Sequence, residues 1–190
     1  TLSQARIKSQ SAVCKSNNRQ VGSAMFMYQG DNDGYFVDYK GLHNGWHTWK
    51  WPLAQYLTDT SNDQWWTFQY GDVFACPEYL DQQNSRQGMA YSSIELGGAP
   101  FGGTTASSKY TEITNPVDTL MLGDSTTTYT YVDNMLLPPY APWSIDNVSL
   151  GRHGYKSNIN WVDGHVSSET QLSLLAGKSG DQTYYWLAIK

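Results

Sequence analysis

The chain has 190 residues, room for one domain with a core, since domains commonly run to roughly 100–200 residues. Its 12 basic against 17 acidic side chains leave a net charge of −5. That excludes the basic face with which a nucleic-acid binder neutralises phosphates. Hydrophobic residues at 39% and charged residues at 15% fit neither charge-driven disorder nor a membrane protein. The 14 Tyr, 8 Trp and 17 Gly favour turns and strands bearing large aromatic side chains over a helical bundle.

The charge is uneven. Residues 1–30 contain Arg6, Lys8, Lys15 and Arg19 and no acid, so that segment carries +4 and the remainder −9. Such asymmetry marks either two structural parts facing different surroundings or one solvated helix face. No run of about 18 apolar residues is present, nor a signal-peptide pattern. Residue 1 is Thr, and the expectation is a chain trimmed at its N-terminus.

Residues 2–29 read as one helix, with Val13, Val21, Ala24, Met25 and Tyr28 at near-helical spacing. In its first half Leu2, Ala5 and Ile7 are isolated among polar residues. Residues 12–29 are therefore expected to pack on the domain and residues 1–11 to stand free. Gly30-Asp31-Asn32-Asp33-Gly34 supplies residues that tolerate the left-handed conformation at a helix end. A second helix is predicted over Pro52–Thr58, with proline in its first turn. Trp66–Tyr70 reads as an extended segment, and residues 84–110 as a long loop with one strand near Met89–Ile94. Thr119–Gly123 is an apolar run that predicts a central buried strand. Thr127–Val132 has strong strand composition, and the prolines of Leu137–Pro142 place it at the surface. Ser157–Ser168 carries two strand-like runs around Asp163-Gly164, which predicts a two-residue hairpin turn with both central residues at positive φ. Ile159, Trp161 and Asp163 would share one face, with Asn158, Asn160 and Val162 on the other. The chain reads as a single α+β domain: a spine helix over 1–29 packed against an antiparallel sheet in a head over 30–190.

Few residues point to chemistry. Cys14 and Cys76 lack metal-ligand spacing and are too few for a disulfide scaffold. They are either a single bridge in an oxidising compartment or two independent buried thiols. His153 precedes Asp163-Gly164 with nine residues between; a loop and a hairpin are expected to bring the His and Asp together, as a structural hydrogen bond and not as a base and its orienter. No Ser or Cys in a nucleophile motif accompanies them, so no enzymatic activity is expected. Asp31 and Asp33 match only part of a calcium loop, and His43 and His47 lack the Glu of the zinc-protease pattern. No metal or cofactor is expected. Trp46, Trp49, Trp51, Trp65 and Trp66 form a dense aromatic stretch that either builds the core or, exposed, stacks on sugar rings as a polysaccharide-binding surface.

Several segments resemble one family. Leu2-Ser-Gln-Ala-Arg-Ile-Lys, Cys14-Lys-Ser-Asn-Asn-Arg-Gln-Val-Gly and Met27-Tyr28 … Asp33-Gly34-Tyr35 look like the helix that follows the membrane anchor in prepilin-type proteins. Arg152-His153 … Val162-Asp163-Gly164-His165-Val166 is similar to the C-terminal prepilin-type His-x9-Asp-Gly signature. Trp51 … Leu53 … Tyr56-Leu57, Phe74 … Cys76-Pro77 and Asn115-Pro116 … Leu120-Met121-Leu122-Gly123-Asp124-Ser125 resemble the family in order and spacing. The resemblance covers most of the chain. It implies a pilin-like fold and a structural subunit of a type II secretion or type IV pilus-related filament. The partners implied are other pilin-like subunits, the secretion machinery and the inner membrane, reached through an anchor that this sequence lacks. The head would lie in an oxidising envelope compartment, which favours a Cys14–Cys76 disulfide, and the resemblance gives His153, Asp163 and Gly164 no catalytic role.

Overall fold

A computed structural model describes residues 2–38, 49–57, 72–78, 88–92, 96–98, 106–124 and 152–176. Trp66–Tyr70, Thr127–Val132, Leu137–Pro142, His43 and His47 lie outside the described residues.

The first element is helix α1, Leu2–Asp31. Its buried residues are Cys14, Asn17, Asn18, Val21, Gly22, Ala24, Met25 and Gln29. These recur at three- and four-residue intervals and form one face. Half of that face is polar or small, so apolar spacing alone misplaces its start: Val13, expected on the packed stripe, is 47% exposed. Leu2 to Arg6 are exposed, whereas Gln10 is half-buried and its amide donates to the Pro77 carbonyl at 3.2 Å. The free part of the helix is therefore shorter than the expected 1–11. The helix ends as its sequence predicts, with Asp33 and Gly34 at φ 52° and 80° and the Gly34 N–H returning to the Gln29 carbonyl at 2.9 Å.

After α1 come a short helix α2 (Lys50–Ala54) and a single 3-10 turn at Asp72–Phe74. The strands are β1 (Met89–Tyr91), β2 (Leu120–Asp124), β3 (Lys156–Trp161) and β4 (Val166–Thr170). A helix α3 (Gln171–Ala176) follows. The strands form one antiparallel sheet in the order β1-β2-β3-β4, so the architecture is α+β. Strand β2 is buried at all five residues, matching the central strand predicted at Thr119–Gly123.

Period-two alternation divides the core in two. On one side Met89, Tyr91, Met121, Leu122 and Val162 pack with Val21, Ala24 and Met25 of α1 and with Phe36, Trp49, Leu53 and Phe74. On the other, Ala90, Leu120, Ile159 and Trp161 pack with Leu174 of α3. The register of β2 shifts between Leu120 and Leu122, which is how Met121 and Leu122 both join the first cluster. Ile159 and Trp161 share one face as expected, while the Asn160 amide on the other reaches α1 and donates to the Asn18 carbonyl at 2.7 Å. A Cβ on Gly22 would collide with that amide. Glycine there is what lets strand and helix approach.

The hairpin departs from the expected two-residue turn. The Gly164 N–H donates to the Trp161 carbonyl at 2.8 Å and the Trp161 N–H to the His165 carbonyl at 3.0 Å, and of the central residues only Gly164, at φ 91°, is left-handed. That is the longer loop in which an ordinary turn is closed by one left-handed residue, so Asp163 keeps an ordinary negative φ.

Candidate functional site

Four buried side chains from four places in the fold meet behind the sheet. Cys14 comes from the first turn of the packed half of α1. Cys76 follows the Asp72–Phe74 turn, in a segment bridged to Gly88 through Ala75. A Cβ on Gly88 would stand 2.5 Å from the Cys76 nitrogen, so glycine is what allows the two backbones to lie together. Asp124 ends the apolar strand β2. His153 lies in a turn just before β3 where His153, Gly154 and Tyr155 all have positive φ, at 50°, 72° and 66°. Two non-glycine residues in that conformation cost the backbone energy, and the turn directs the imidazole inward.

The ligand-type atoms of these four residues all lie within 4.8 Å of one another. Cys14 and Cys76 stand 3.9 Å apart. The Cys14 thiol donates to Asp124 Oδ1 at 2.9 Å, Cys76 Sγ lies 3.4 Å from His153 Nε2, and His153 Nε2 lies 3.3 Å from Asp124 Oδ2. Around them stands a second layer. The Asn158 N–H donates to Asp124 Oδ2 at 2.8 Å. The Asn18 amide donates to the Cys14 carbonyl at 3.2 Å and lies 3.8 Å from its sulfur. Glu78 Oε2 lies 2.9 Å from His153 Nδ1 and accepts the His153 backbone N–H at 2.7 Å.

Proximity sets the protonation of the group. The Cys14 thiol is pushed far up, first by its hydrogen bond with Cys76, then by burial and the charge of Asp124. Cys76 is drawn down to about 5: the hydrogen bond from Cys14 outweighs burial, with help from His153 and Arg152. Burial disfavours the charged form of His153, but hydrogen bonds with Asp124 and Cys76 prevail and raise it to about 9. The directions agree in favouring the proton on Cys14 and on His153 over Cys76.

The expected Cys14–Cys76 pairing is present as neighbourhood and not as a bond. Both are free thiols, and 3.9 Å is well beyond the roughly 2.05 Å of an S–S bond. The reason lies in the other two members, since each sulfur is also engaged by Asp124 or His153. The expected meeting of His153 with Asp163 is likewise corrected. The carboxylates at His153 are those of Asp124 and Glu78, while Asp163 Oδ1 lies 2.6 Å from His165 Nδ1 and accepts its backbone N–H at 3.1 Å. Strand β3 lies between the two ends of the motif, and its six residues, rising about 3.3 Å each, separate them by roughly 20 Å. Of the aromatic stretch, Trp49 is fully buried against Phe74 and Tyr91 and Trp51 is half-buried, so Trp49 cannot stack on a sugar. Trp46, Trp65 and Trp66 lie outside the described residues. Asp31 accepts the Tyr56 hydroxyl at 2.9 Å, and Asp33 serves the helix stop.

Comparison with known proteins found no matching family model, curated protein or solved structure.

Sequence reasoning passed over Asp124 and Glu78 as site members. One signal was available for Asp124: a single carboxylate closing the apolar run Leu120–Gly123 is a charge placed where burial is expected. Glu78 had none. Chemically the cluster can hold a divalent metal or be oxidised to a disulfide. It also has the order of a thiol, a base and an orienting carboxylate, with Cys14 and Cys76 each 1% exposed and Asp124 fully buried.

Proposed function

We propose that the protein is a pseudopilin-like structural subunit of a type II secretion or type IV pilus-related filament in the bacterial cell envelope, with α1 as its spine and the sheet as its head. The observation that carries this reading is the division of α1. From Cys14 onward its buried face is seated against the sheet, whereas Leu2 to Arg6 project with their side chains exposed. A helix built this way has most of its length committed to its own domain and a short end open to neighbours. The prepilin-like segments at both ends of the sequence support the same reading. The work would be associative: helices pack into a fibre, and head surfaces meet adjoining subunits or cargo. Among the described residues no helix is long and apolar enough to cross a membrane.

The test is recovery in fibres. Epitope-tagged protein produced from its full-length gene should appear in the filament fraction sheared from cells. V13E, at a position 47% exposed, should lower that recovery while leaving the melting temperature of the purified chain within about 2 °C, as surface substitutions do. Tagged protein found only in the unassembled envelope fraction, in cells that make the filament, would refute the reading.

A further inference from the structure

We propose that Cys14, Cys76, Asp124 and His153 form a structural zinc site that fastens the helix to the sheet. This inference is independent of the filament reading and holds or fails without it.

The donor set is the first argument. Two sulfurs, one imidazole nitrogen and one carboxylate oxygen make a four-ligand shell of the types Zn2+ takes in closed, structural sites. Thiolates disfavour magnesium and calcium, which select oxygen. The second argument is geometric. Around a tetrahedral Zn2+, with Zn–S about 2.3 Å and Zn–N and Zn–O about 2.0–2.1 Å, ligand atoms are separated by about 3.8 Å for two sulfurs, about 3.5 Å for sulfur and nitrogen, and about 3.3 Å for nitrogen and oxygen. The corresponding separations are 3.9 Å for the cysteine pair, 3.4 Å for Cys76 Sγ to His153 Nε2 and 3.3 Å for His153 Nε2 to Asp124 Oδ2. The Cys14 contact, at 2.9 Å, is to the other oxygen of Asp124, Oδ1, and is shorter than the sulfur–oxygen separation of about 3.5 Å around tetrahedral zinc, so Cys14 and the carboxylate must draw apart to admit the metal.

The surroundings agree. His153 turns Nε2 toward the other ligands while Nδ1 lies 2.9 Å from Glu78. A carboxylate on the far nitrogen of a metal-binding imidazole is the usual partner that fixes its tautomer and orientation; buried Nδ1 makes no hydrogen bond as it stands, and Glu78 is the carboxylate within reach of it. The Asn158 N–H already holds Asp124, and Arg152, 4% exposed and next to the ligand His153 in the chain, carries the charge that offsets the single negative charge of Zn2+ with two thiolates and one carboxylate. Burial makes the site closed, as structural zinc sites are. Burying a carboxylate is costly even with partners, and a divalent cation bound to Asp124 lowers that cost.

The experiment uses the full chain, purified under reducing conditions, with Zn2+ and Co2+ as probes. Elemental analysis should return one equivalent of zinc. After chelation, Co2+ titration should produce thiolate-to-cobalt charge-transfer absorption and the intense visible bands of tetrahedral Co2+, saturating at one equivalent. C76S should abolish the charge-transfer contribution of one thiolate, and E78Q, which leaves all four ligands in place, should weaken Zn2+ binding about 10- to 100-fold. H165A, on the exposed hairpin, should bind like the parent. Because C76S or D124N could fail to fold, thiol protection in the unaltered protein serves as a second readout: bound Zn2+ should slow alkylation of both cysteines. Absence of stoichiometric metal, octahedral cobalt spectra, or a Cys14–Cys76 disulfide in protein isolated without reductant from its native host would each overturn the proposal.

Discussion

The two ends of the His-x9-Asp-Gly segment differ in nearly everything but sequence proximity. At the first, His153 is held in a left-handed turn, its side chain almost wholly buried among two cysteines and two carboxylates. At the second, Asp163 and His165 pair in the open, with side chains 33% and 45% exposed, on a turn that closes a hairpin. A motif spanned by one β-strand cannot fold its ends together. Its fixed spacing instead delivers one residue to each end of β3, and the shared element between them is the strand. A recurrent-looking spacing can therefore report the length of a structural element and not a contact.

Substitutions can break this contrast. H153A should have the largest effect, lowering stability by about 3–5 kcal/mol, because it leaves the buried Asp124 carboxylate without the imidazole 3.3 Å from it; chemical denaturation with and without chelator reads this, and an unchanged midpoint would refute the inner role. G164A should cost about 2 kcal/mol: φ of 91° is unfavourable for any side chain, and a Cβ there would stand 2.8 Å from the Phe26 ring. N160A, midway between the two ends, removes the donor to the Asn18 carbonyl and should cost about 1–2 kcal/mol, seen as faster amide hydrogen exchange in α1 near residue 18. D163A should change stability by no more than about 0.5 kcal/mol, since exposed pairs contribute little. A loss for D163A equal to that for H153A would erase the distinction.

Local chemistry made much of the fold legible. The helix stop at Asp33-Gly34, the central strand at Leu120–Asp124 and the facing of Ile159 and Trp161 follow from turn residues and periodicity, which act within a few positions. What was hidden depended on distance along the chain. Cys14 and Asp124 meet across 110 positions, and ligands at 14, 76, 124 and 153 have no spacing that a motif would reveal. The polar seam of α1 misled for a related reason. Cys14, Asn17, Asn18 and Gly22 are buried because specific partners await them across the interface, and apolar pattern reading places such residues outside. Val13, next to them, is apolar yet faces outward.

The contact of Asn160 with the Asn18 carbonyl, admitted by Gly22, has a mechanical consequence. Sliding α1 by one turn would advance it about 5.4 Å and bring a side chain, in place of glycine, under the amide. The helix is thus keyed to the sheet at a single register, like a bolt in a slot. A pull along the helix axis is transmitted to the middle of β3 as shear, spread over the hydrogen bonds to both neighbouring strands at once, so that the head resists traction without separating strand by strand.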